Sequence, residues 1–225
     1  MSAPGILIAD DHPLFREALK LAVSHVLPDC VIHEADSVAS LFAALERLRQ
    51  IDLLLLDLAM PGAQGFSALV QARAHHPAVP VVVISGRDDA RIVERTLAHG
   101  AAGFVPKSSK VESIVEAIKS VLRGELWIPK RIAGSAETHA PALERSEADA
   151  ASRLATLTPQ QFRVLSMVSA GLLNKQIAAE LDLSEATVKA HMTAIMQKLG
   201  AGNRTQAVLF AQKLALDESA LSLKE

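Results

Sequence analysis

Five short apolar runs, each followed by a helical pattern, constrain the first half of this chain more than any other feature. The runs are three or four residues long and almost wholly apolar, which is typical of strands buried on both faces. Strands that alternate with helices favour a parallel sheet with helices packed on each side. We therefore predict an α/β doubly wound domain with a five-stranded parallel sheet. The runs lie at 6–9, 30–33, 53–56, 81–84 and 103–105, and the helical patterns near 13–26, 38–49, 65–75, 89–99 and 110–123.

Only helical signals follow residue 157, and they divide the second half into four short helices. Residues that favour N-caps precede three of these helices, and glycines stand where two of them should end. Four helices joined by tight turns predict a small all-α domain. The predicted caps are Thr158, Ser184 and Asn203, and the predicted stops are Gly171 and Gly200.

Residues 124–153 fit neither pattern and are predicted to link the two domains. Pro129, Gly134 and Pro141 interrupt this stretch, although 143–154 contain enough Ala, Glu and Leu to form a helix. A flexible chain of that length spans roughly 30 Å, so the two domains are free either to touch or to separate. The expected division is a first domain at 1–123, a linker at 124–153, a helical domain at 154–216 and a tail at 217–225.

Composition excludes several classes of protein. Half of the residues are apolar and 21% are charged, which is too apolar for a mostly disordered chain. The longest aliphatic runs are far shorter than the ~20 residues that cross a bilayer, and the N-terminus lacks the pattern of a secretory signal. Because Cys30 is the only cysteine, an intramolecular disulfide and a cysteine-rich zinc site are excluded. We expect a cytoplasmic protein without a membrane partner.

Charge is distributed unevenly between the two halves. Residues 1–125 contain 12 basic and 15 acidic residues, whereas residues 154–216 contain six basic and three acidic ones. This asymmetry favours different partners for the two domains, with a polyanion as the partner of the second.

Charged and polar side chains stand where four of the predicted strands end. If the strand order is 2-1-3-4-5, the first and third strands are neighbours, and the carboxylates that follow them converge at the edge of the sheet where ligands bind. Each residue alone is also an ordinary capping, turn or loop residue, but four at matching strand ends favour a site. They are Asp10 with Asp11, then Asp57, Ser85 and Lys107.

Three converging carboxylates require positive charge. Two carboxylates about 5 Å apart repel by about 3 kcal/mol at an effective dielectric constant near 20. Mg²⁺ suits a site of a few carboxylates with open positions for water and phosphate. A carboxylate, a cation, a lysine and a hydroxyl are the groups that phosphoryl transfer to an aspartate requires.

The helix predicted from Thr187 to Leu199 has one apolar face and one small, polar face. At 100° per residue, Val188, Met192, Ile195 and Leu199 fall within a narrow sector. Small residues on the opposite side allow a close approach to a groove, and Lys, Thr and Gln side chains can contact base edges. A solvated surface is the alternative interpretation of this face. Its residues are Ala186, Lys189, Ala190, Thr193 and Gln197.

The motifs IADD, DLAMPG, ISG and GAAGFVPK in residues 5–123 resemble the receiver domain of bacterial two-component response regulators. The resemblance implies a flavodoxin-like fold and a sensor histidine kinase as the phosphoryl donor. It implies that Asp57 is the phosphoacceptor, and that Asp11 binds Mg²⁺ directly and Asp10 through water. It further assigns the backbone carbonyl of Ala59 as a metal ligand, Ser85 and Lys107 as phosphate contacts, and Phe104 as the aromatic switch.

Residues 157–208 are similar to the LuxR-type helix-turn-helix, and its fusion to a receiver resembles the NarL/FixJ class. The resemblance implies that the protein binds double-stranded DNA in the major groove and regulates transcription. It implies a homodimer on DNA through the helix from Arg204 to Leu216. Lys189, Ala190 and Thr193 would face the groove, with Ser184 and Gln197 also at the interface. Residues expected near phosphates are Asn174, Lys175, Thr187, His191 and Lys198.

Two departures from the family pattern affect DNA binding. Gln160 and Gln161 replace the usual Arg-Glu pair, which removes an internal ion pair and a cation near phosphate. Ala190 and Thr193 offer weaker base contacts than Lys or Arg, so a dimer on two half-sites is expected.

Other functions remain open at this point. The protein could bind DNA under the control of a partner protein, with phosphorylation irrelevant. An enzyme of the haloacid-dehalogenase type also uses an aspartate and Mg²⁺, but it carries a second Asp where this chain has Ala59. We therefore expect no enzymatic turnover beyond slow autophosphorylation and autodephosphorylation. A resting receiver that covers Lys189 and Thr193 is compatible with the linker.

Overall fold

A computed structural model of the protein describes residues 3–48, 50–129 and 145–214. The first part forms one five-stranded sheet in the order β2-β1-β3-β4-β5, with every neighbouring pair parallel. The predicted sheet and strand order are therefore confirmed. The strands are β1 (Gly5–Ala9), β2 (Val31–Ala35), β3 (Leu53–Asp57), β4 (Val81–Ser85) and β5 (Gly103–Pro106).

Five helices cover the two faces of this sheet. Because successive side chains of a strand point to opposite faces, Leu53 and Leu55 pack into one core with α1 and α5, while Leu54 and Leu56 pack into the other. The helices are α1 (Pro13–Val26), α2 (Val38–Arg47), α3 (Ser67–His75), α4 (Ala90–Ala98) and α5 (Val111–Leu122).

The prediction that all five strands are buried on both faces is wrong for β2. This strand lies at the edge of the sheet, and Val31 is 47% exposed. Glu34 on the same strand pairs with Arg16 and Lys20 of α1 at 3.0 and 2.9 Å. An edge strand has one neighbouring strand and is covered less completely by the helices, so it accepts charged residues that the central strands exclude.

The second part of the chain is helical, as predicted. Side chains of Thr158, Ser184 and Asn203 cap helices by accepting backbone N–H bonds, and Gly200 ends a helix in the left-handed conformation. Within the described residues, the helices are too short or too polar to span a membrane. They are α6 (Arg145–Ala155), α7 (Pro159–Ser169), α8 (Asn174–Glu180), α9 (Glu185–Leu199) and α10 (Arg204–Gln212).

Helix α6 occupies the second half of the predicted linker and packs against both domains. Leu154 is fully buried, and Arg153 donates to the backbone carbonyl of Leu199 at the end of α9. Earlier in the linker, Trp127 pairs with β5 through backbone hydrogen bonds to Ala102 and Phe104. Residues 130–144 and 215–225, which contain part of the predicted linker and the tail, lie outside the described residues.

The two domains touch along α2, α3 and α4 of the first domain. The rings of Phe42 and Phe162 meet edge to face across this contact, with centroids 5.1 Å apart. A Cβ atom at Gly62, which has a φ of 84°, would lie 3.3 Å from the Cβ of Ser166. The core that contains Leu54 therefore continues into the helical domain.

We expect Leu55→Ala to lower the free energy of unfolding by about 2–5 kcal/mol, because the fully buried side chain leaves a cavity between β3, α1 and α5. Urea denaturation followed by circular dichroism measures this change. Leu14→Ala is the control, since Leu14 is 88% exposed and its loss should change stability by less than about 0.5 kcal/mol. Equal losses for the two variants would contradict the assigned core.

Candidate functional site

The carboxylates predicted to converge lie together at the carboxyl end of β1 and β3. Asp10 and Asp57 are almost completely buried, and Asp11 lies at the surface side of the cluster. One ligand atom from each of Asp10, Asp11, His12 and Asp57 lies within 4.8 Å of all the others. The strand order explains this arrangement, because β1 and β3 are hydrogen-bonded neighbours.

Lys107 joins the cluster from the end of β5. Its Nζ lies 2.8 Å from Oδ2 of Asp10 and 2.7 Å from Oδ2 of Asp57. Burial acts to lower the pKa of Lys107, but the hydrogen bonds to the two carboxylates outweigh it and raise the pKa above its usual value. The ammonium therefore stays charged and links two carboxylates that would otherwise repel each other.

Asp57 sits in a site that disfavours its own charge. Burial raises the pKa of Asp57, although Lys107 and the backbone N–H of Ala59, which donates to Oδ1 at 3.0 Å, oppose this effect. One lysine cannot neutralise three carboxylates. The donor set therefore fits a hard divalent cation with oxygen ligands.

His12 also belongs to this cluster, and the sequence analysis missed it. Its Nδ1 lies 2.8 Å from Oδ1 of Asp11, 3.2 Å from Oδ1 of Asp10 and 3.9 Å from Oδ2 of Asp57. The imidazole is 60% exposed and stands at the mouth of the pocket. A histidine directly after two aspartates at a strand end was the signal for it.

Ser85 and Phe104 lie beside the pocket on β4 and β5. Ser85 is 3% exposed, and its Oγ accepts the backbone N–H of Arg87 at 3.1 Å. Phe104 is fully buried, and its backbone N–H donates to the carbonyl of Trp127. Ser85 is the last residue of β4 and Phe104 lies within β5, and the roles assigned to both residues stay predictions.

Helix α9 has the two faces that its sequence predicts. Val188, Met192, Ile195 and Leu199 are buried against the other helices. The opposite side is exposed to solvent, and we call it the recognition face: Ala186, Lys189, Ala190, Thr193 and Gln197. Lys189 and Thr193 are exposed, so the first domain does not cover them in this structure.

The residues predicted to lie near DNA phosphates differ in their exposure and in their hydrogen bonds. Lys175 is exposed, and Thr187 and His191 are partly exposed beside the recognition face. Asn174 instead accepts a hydrogen bond from Arg204. Nζ of Lys198 donates to the backbone carbonyl of Thr156 and to Oε1 of Gln161, both at 2.8 Å.

Comparison with protein families gives two matches that together span most of the chain. Residues 6–119 match the family described as response regulator receiver domain. Residues 155–211 match the family described as bacterial regulatory proteins, luxR family. The residues between the two matches, 120–154, contain the segment predicted as the linker.

Relatives of known name cover both domains. The glycerol metabolism activator of Pseudomonas putida is 39% identical over 207 residues, which are 92% of this chain and 94% of that protein. The nitrate/nitrite response regulator NarL of Escherichia coli K12 is 30% identical over 92% of this chain and 94% of its own length. Both are similar to this chain along nearly its whole length.

A solved structure shares the fold. The RcsB response regulator of Salmonella typhimurium matches with a TM-score of 0.56 and 21% identity, covering 93% of this chain and 98% of that one. At 21% identity, this similarity supports the fold of the two domains.

Replacing Asp11 by Asn should weaken divalent cation binding at least about tenfold, since the site loses one of three negative charges. Electron paramagnetic resonance of Mn²⁺, with competition by Mg²⁺, measures the change. Asp36→Asn serves as the control, because Asp36 is an exposed carboxylate outside the cluster. Unchanged binding in Asp11→Asn would contradict this metal site.

Proposed function

The chain belongs to the response regulators of the NarL/FixJ class, which join a receiver to a LuxR-type DNA-binding domain, and we propose that Asp57 is its phosphoacceptor. It is a phosphorylation-controlled transcription regulator of a bacterial two-component system. The proposed donor is a sensor histidine kinase, and the proposed site of action is the cytoplasm, where kinase domain and DNA are both accessible.

The acidic cluster is the observation that carries this proposal. Asp57 is 1% exposed, and its Oδ1 is fixed by the N–H of Ala59 while Oδ2 is fixed by Lys107. Because both carboxylate oxygens are held, the side chain of Asp57 already has one orientation before a phosphoryl donor binds. Binding of the donor therefore costs no further conformational freedom of this side chain. Lys107 and His12 contact Asp10 and Asp11 beside it but do not supply three positive charges for the three carboxylates, so the cluster favours a bound cation.

The reaction forms one bond and breaks one. A carboxylate oxygen of Asp57 bonds to phosphorus, and the bond from phosphorus to the histidine nitrogen of the kinase breaks; an acyl phosphate donor loses its phosphorus–oxygen bond instead. Mg²⁺, held by Asp11, Asp57 and the carbonyl of Ala59, would supply positive charge for the phosphoryl oxygens. Lys107 is placed to hold one of those oxygens, and it then leaves Oδ2 of Asp57.

Ser85 and Phe104 are proposed to transmit the effect of phosphorylation from the pocket to the surface of the receiver. A phosphoryl group adds three acceptor oxygens and about −1.5 to −2 charge beside Ser85. When Ser85 turns its hydroxyl toward this group, it leaves the N–H of Arg87 and vacates space that the ring of Phe104 can enter. The surface of α4, β5 and α5 then changes shape.

The recognition face is the proposed contact with the major groove of double-stranded DNA. It offers Lys189, Thr193 and Gln197 as polar groups, and small residues between them allow close approach. One module supplies few base contacts, so we propose that two chains bind two half-sites through α10. Leu209, which is 56% exposed, is the apolar residue that α10 offers for this contact, whereas Ala211 is buried within the chain.

Asp57→Asn should abolish phosphorylation by acetyl phosphate and any rise in DNA affinity that follows it, because an amide cannot act as the nucleophile. Phosphate-affinity electrophoresis measures the first effect and sedimentation of the protein with promoter DNA the second. Asp52→Asn, another aspartate near β3, is the control. Unchanged promoter output in Asp57→Asn after donor treatment would favour control by a partner protein instead.

Lys189→Ala is expected to weaken DNA binding and to reduce the slope of log affinity against log salt by about one unit if the ammonium contacts a phosphate. A slope that stays constant, together with altered sequence preference, would place Lys189 on a base edge. Fluorescence anisotropy at several salt concentrations distinguishes these results. Lys119→Ala in the receiver is the matched control, since it also removes one exposed lysine.

A further inference from the structure

His12 stands at the N-cap position of α1 but does not cap the helix. Its backbone is extended, with a φ of −92° and a ψ of 105°, and none of the described N–H groups of the first turn donates to its ring. Serine, threonine, aspartate and asparagine usually hold this position, because their side-chain oxygens accept the free N–H groups of the helix. The imidazole of His12 therefore has no capping role, and it lies against the acidic cluster instead.

The backbone fixes the place of His12 at the mouth of the pocket. Its N–H donates to Oδ1 of Asp10 at 2.8 Å, and Pro13 follows as the first residue of α1. Its carbonyl accepts the N–H groups of Phe15 and Arg16. Three backbone hydrogen bonds and a neighbouring proline leave this residue little freedom, so any side chain at position 12 starts from the rim of the acidic cluster.

Nδ1 of His12 meets a hydrogen-bond donor and an acceptor at the same time. It lies 2.8 Å from Oδ1 of Asp11, which as a carboxylate only accepts, and 3.2 Å from Nζ of Lys107, which only donates. A proton on Nδ1 suits Asp11 but opposes Lys107, and a lone pair on Nδ1 does the reverse. Because neither tautomer satisfies both neighbours, hydrogen bonds alone do not account for this arrangement.

A metal ion accounts for it, because Nδ1 and the carboxylate oxygens can then bind the same positive charge. Ligand atoms that are side by side on an octahedral ion lie about 3 Å apart, and opposite ligand atoms lie about 4 Å apart. Nδ1 lies 2.8 Å from Oδ1 of Asp11 and 3.9 Å from Oδ2 of Asp57. These separations put the imidazole nitrogen among the oxygen atoms that would hold a cation.

A nitrogen ligand changes which cations the pocket prefers. Mg²⁺ prefers oxygen ligands, whereas imidazole suits the first-row transition metals, and the affinity of such a site rises from Mn²⁺ to Ni²⁺. Carboxylates with one imidazole therefore favour Ni²⁺ over Mg²⁺ more strongly than carboxylates alone. The ring of His12 is 60% exposed, so it can meet an ion without displacing a packed side chain.

We propose that Nδ1 of His12 is a direct ligand of the cation in the acidic pocket and that it makes the pocket selective for transition-metal ions over Mg²⁺. This inference rests on the proposed cation site at Asp11 and Asp57. It assigns the choice of ion to His12 and leaves the proposed roles of Asp57 and Lys107 unchanged. The receiver then distinguishes between the divalent cations that reach it.

Electron spin echo envelope modulation of bound Mn²⁺ tests whether His12 is a ligand. The full chain, free of any affinity tag and loaded with an equimolar amount of Mn²⁺, should show the ¹⁴N coupling of a directly bound imidazole. His12→Ala should lose this coupling, because the nitrogen is gone. His25→Ala is the matched control, since it removes an exposed histidine from the other end of α1 and should keep the coupling.

Calorimetric titration with Ni²⁺ and with Mg²⁺ measures the selectivity. His12→Ala should weaken Ni²⁺ binding at least about tenfold and Mg²⁺ binding by less than about twofold, because water replaces the nitrogen at little cost to Mg²⁺. His12→Asn places an amide near the position of Nδ1 and provides a good N-cap, so it tests the nitrogen ligand without loss of folding. It should also weaken Ni²⁺ binding alone, and His25→Ala should change neither affinity.

Three results would overturn the proposal. A spectrum of the unchanged protein without ¹⁴N coupling would mean that His12 is not a ligand. Equal losses of Ni²⁺ and Mg²⁺ affinity in both His12 variants would mean that His12 supports the pocket without selecting the ion. Unchanged Ni²⁺ binding in both variants would mean that the ion is held elsewhere. In all three cases Mg²⁺ binding by the unchanged protein leaves the proposed function standing, whereas failure of that protein to bind Mg²⁺ or Mn²⁺ would remove the cation site and this inference together.

Discussion

Mutual repulsion of the carboxylates at the end of β1 and β3 is the constraint around which this receiver is organised. Asp10 and Asp57 are buried within reach of Asp11, and Lys107 offers them one positive charge. The fold tolerates this concentration of charge because the remaining imbalance is a binding site for a cation and then for a phosphoryl group. The same imbalance makes the pocket sensitive to whatever occupies it, since any new charge redistributes the contacts of Lys107.

A change in charge at the pocket can affect the second domain only if the two domains are in contact. Here the two domains share a hydrophobic core. The edge-to-face pair of Phe42 and Phe162 and the close approach of Gly62 to Ser166 leave little room for sliding. Closely packed interfaces of this kind have discrete arrangements rather than continuous ones. Glu147 of α6 also pairs with Arg95 and His99 of α4 across this contact, at 2.9 and 2.7 Å.

Most of the fold and of the receiver pocket could be predicted because each depends on short-range patterns. Apolar runs such as 53–56 indicate buried strands, and the residue after each run must stand at the sheet edge. Two elements were misjudged. Burial of β2 depends on which strand lies at the edge, and His12 was not among the predicted site residues, although its ring contacts the aspartates. Neither the exposure of β2 nor the position of the His12 ring can be predicted from one short stretch of sequence.

The sequence by itself determined the strand and helix pattern, the strand-end carboxylates and the two faces of α9, because these depend on periodicity and on neighbours a few residues apart. Tertiary structure alone decided that α6 packs between the two domains, that Glu147 lies against Arg95 and His99, and that the recognition face stays exposed. The physical reason is that pairing across 48 or 52 positions depends on how two folded surfaces fit. The residues around Glu147 in the polar helix α6 do not indicate that this glutamate is buried against Arg95 and His99.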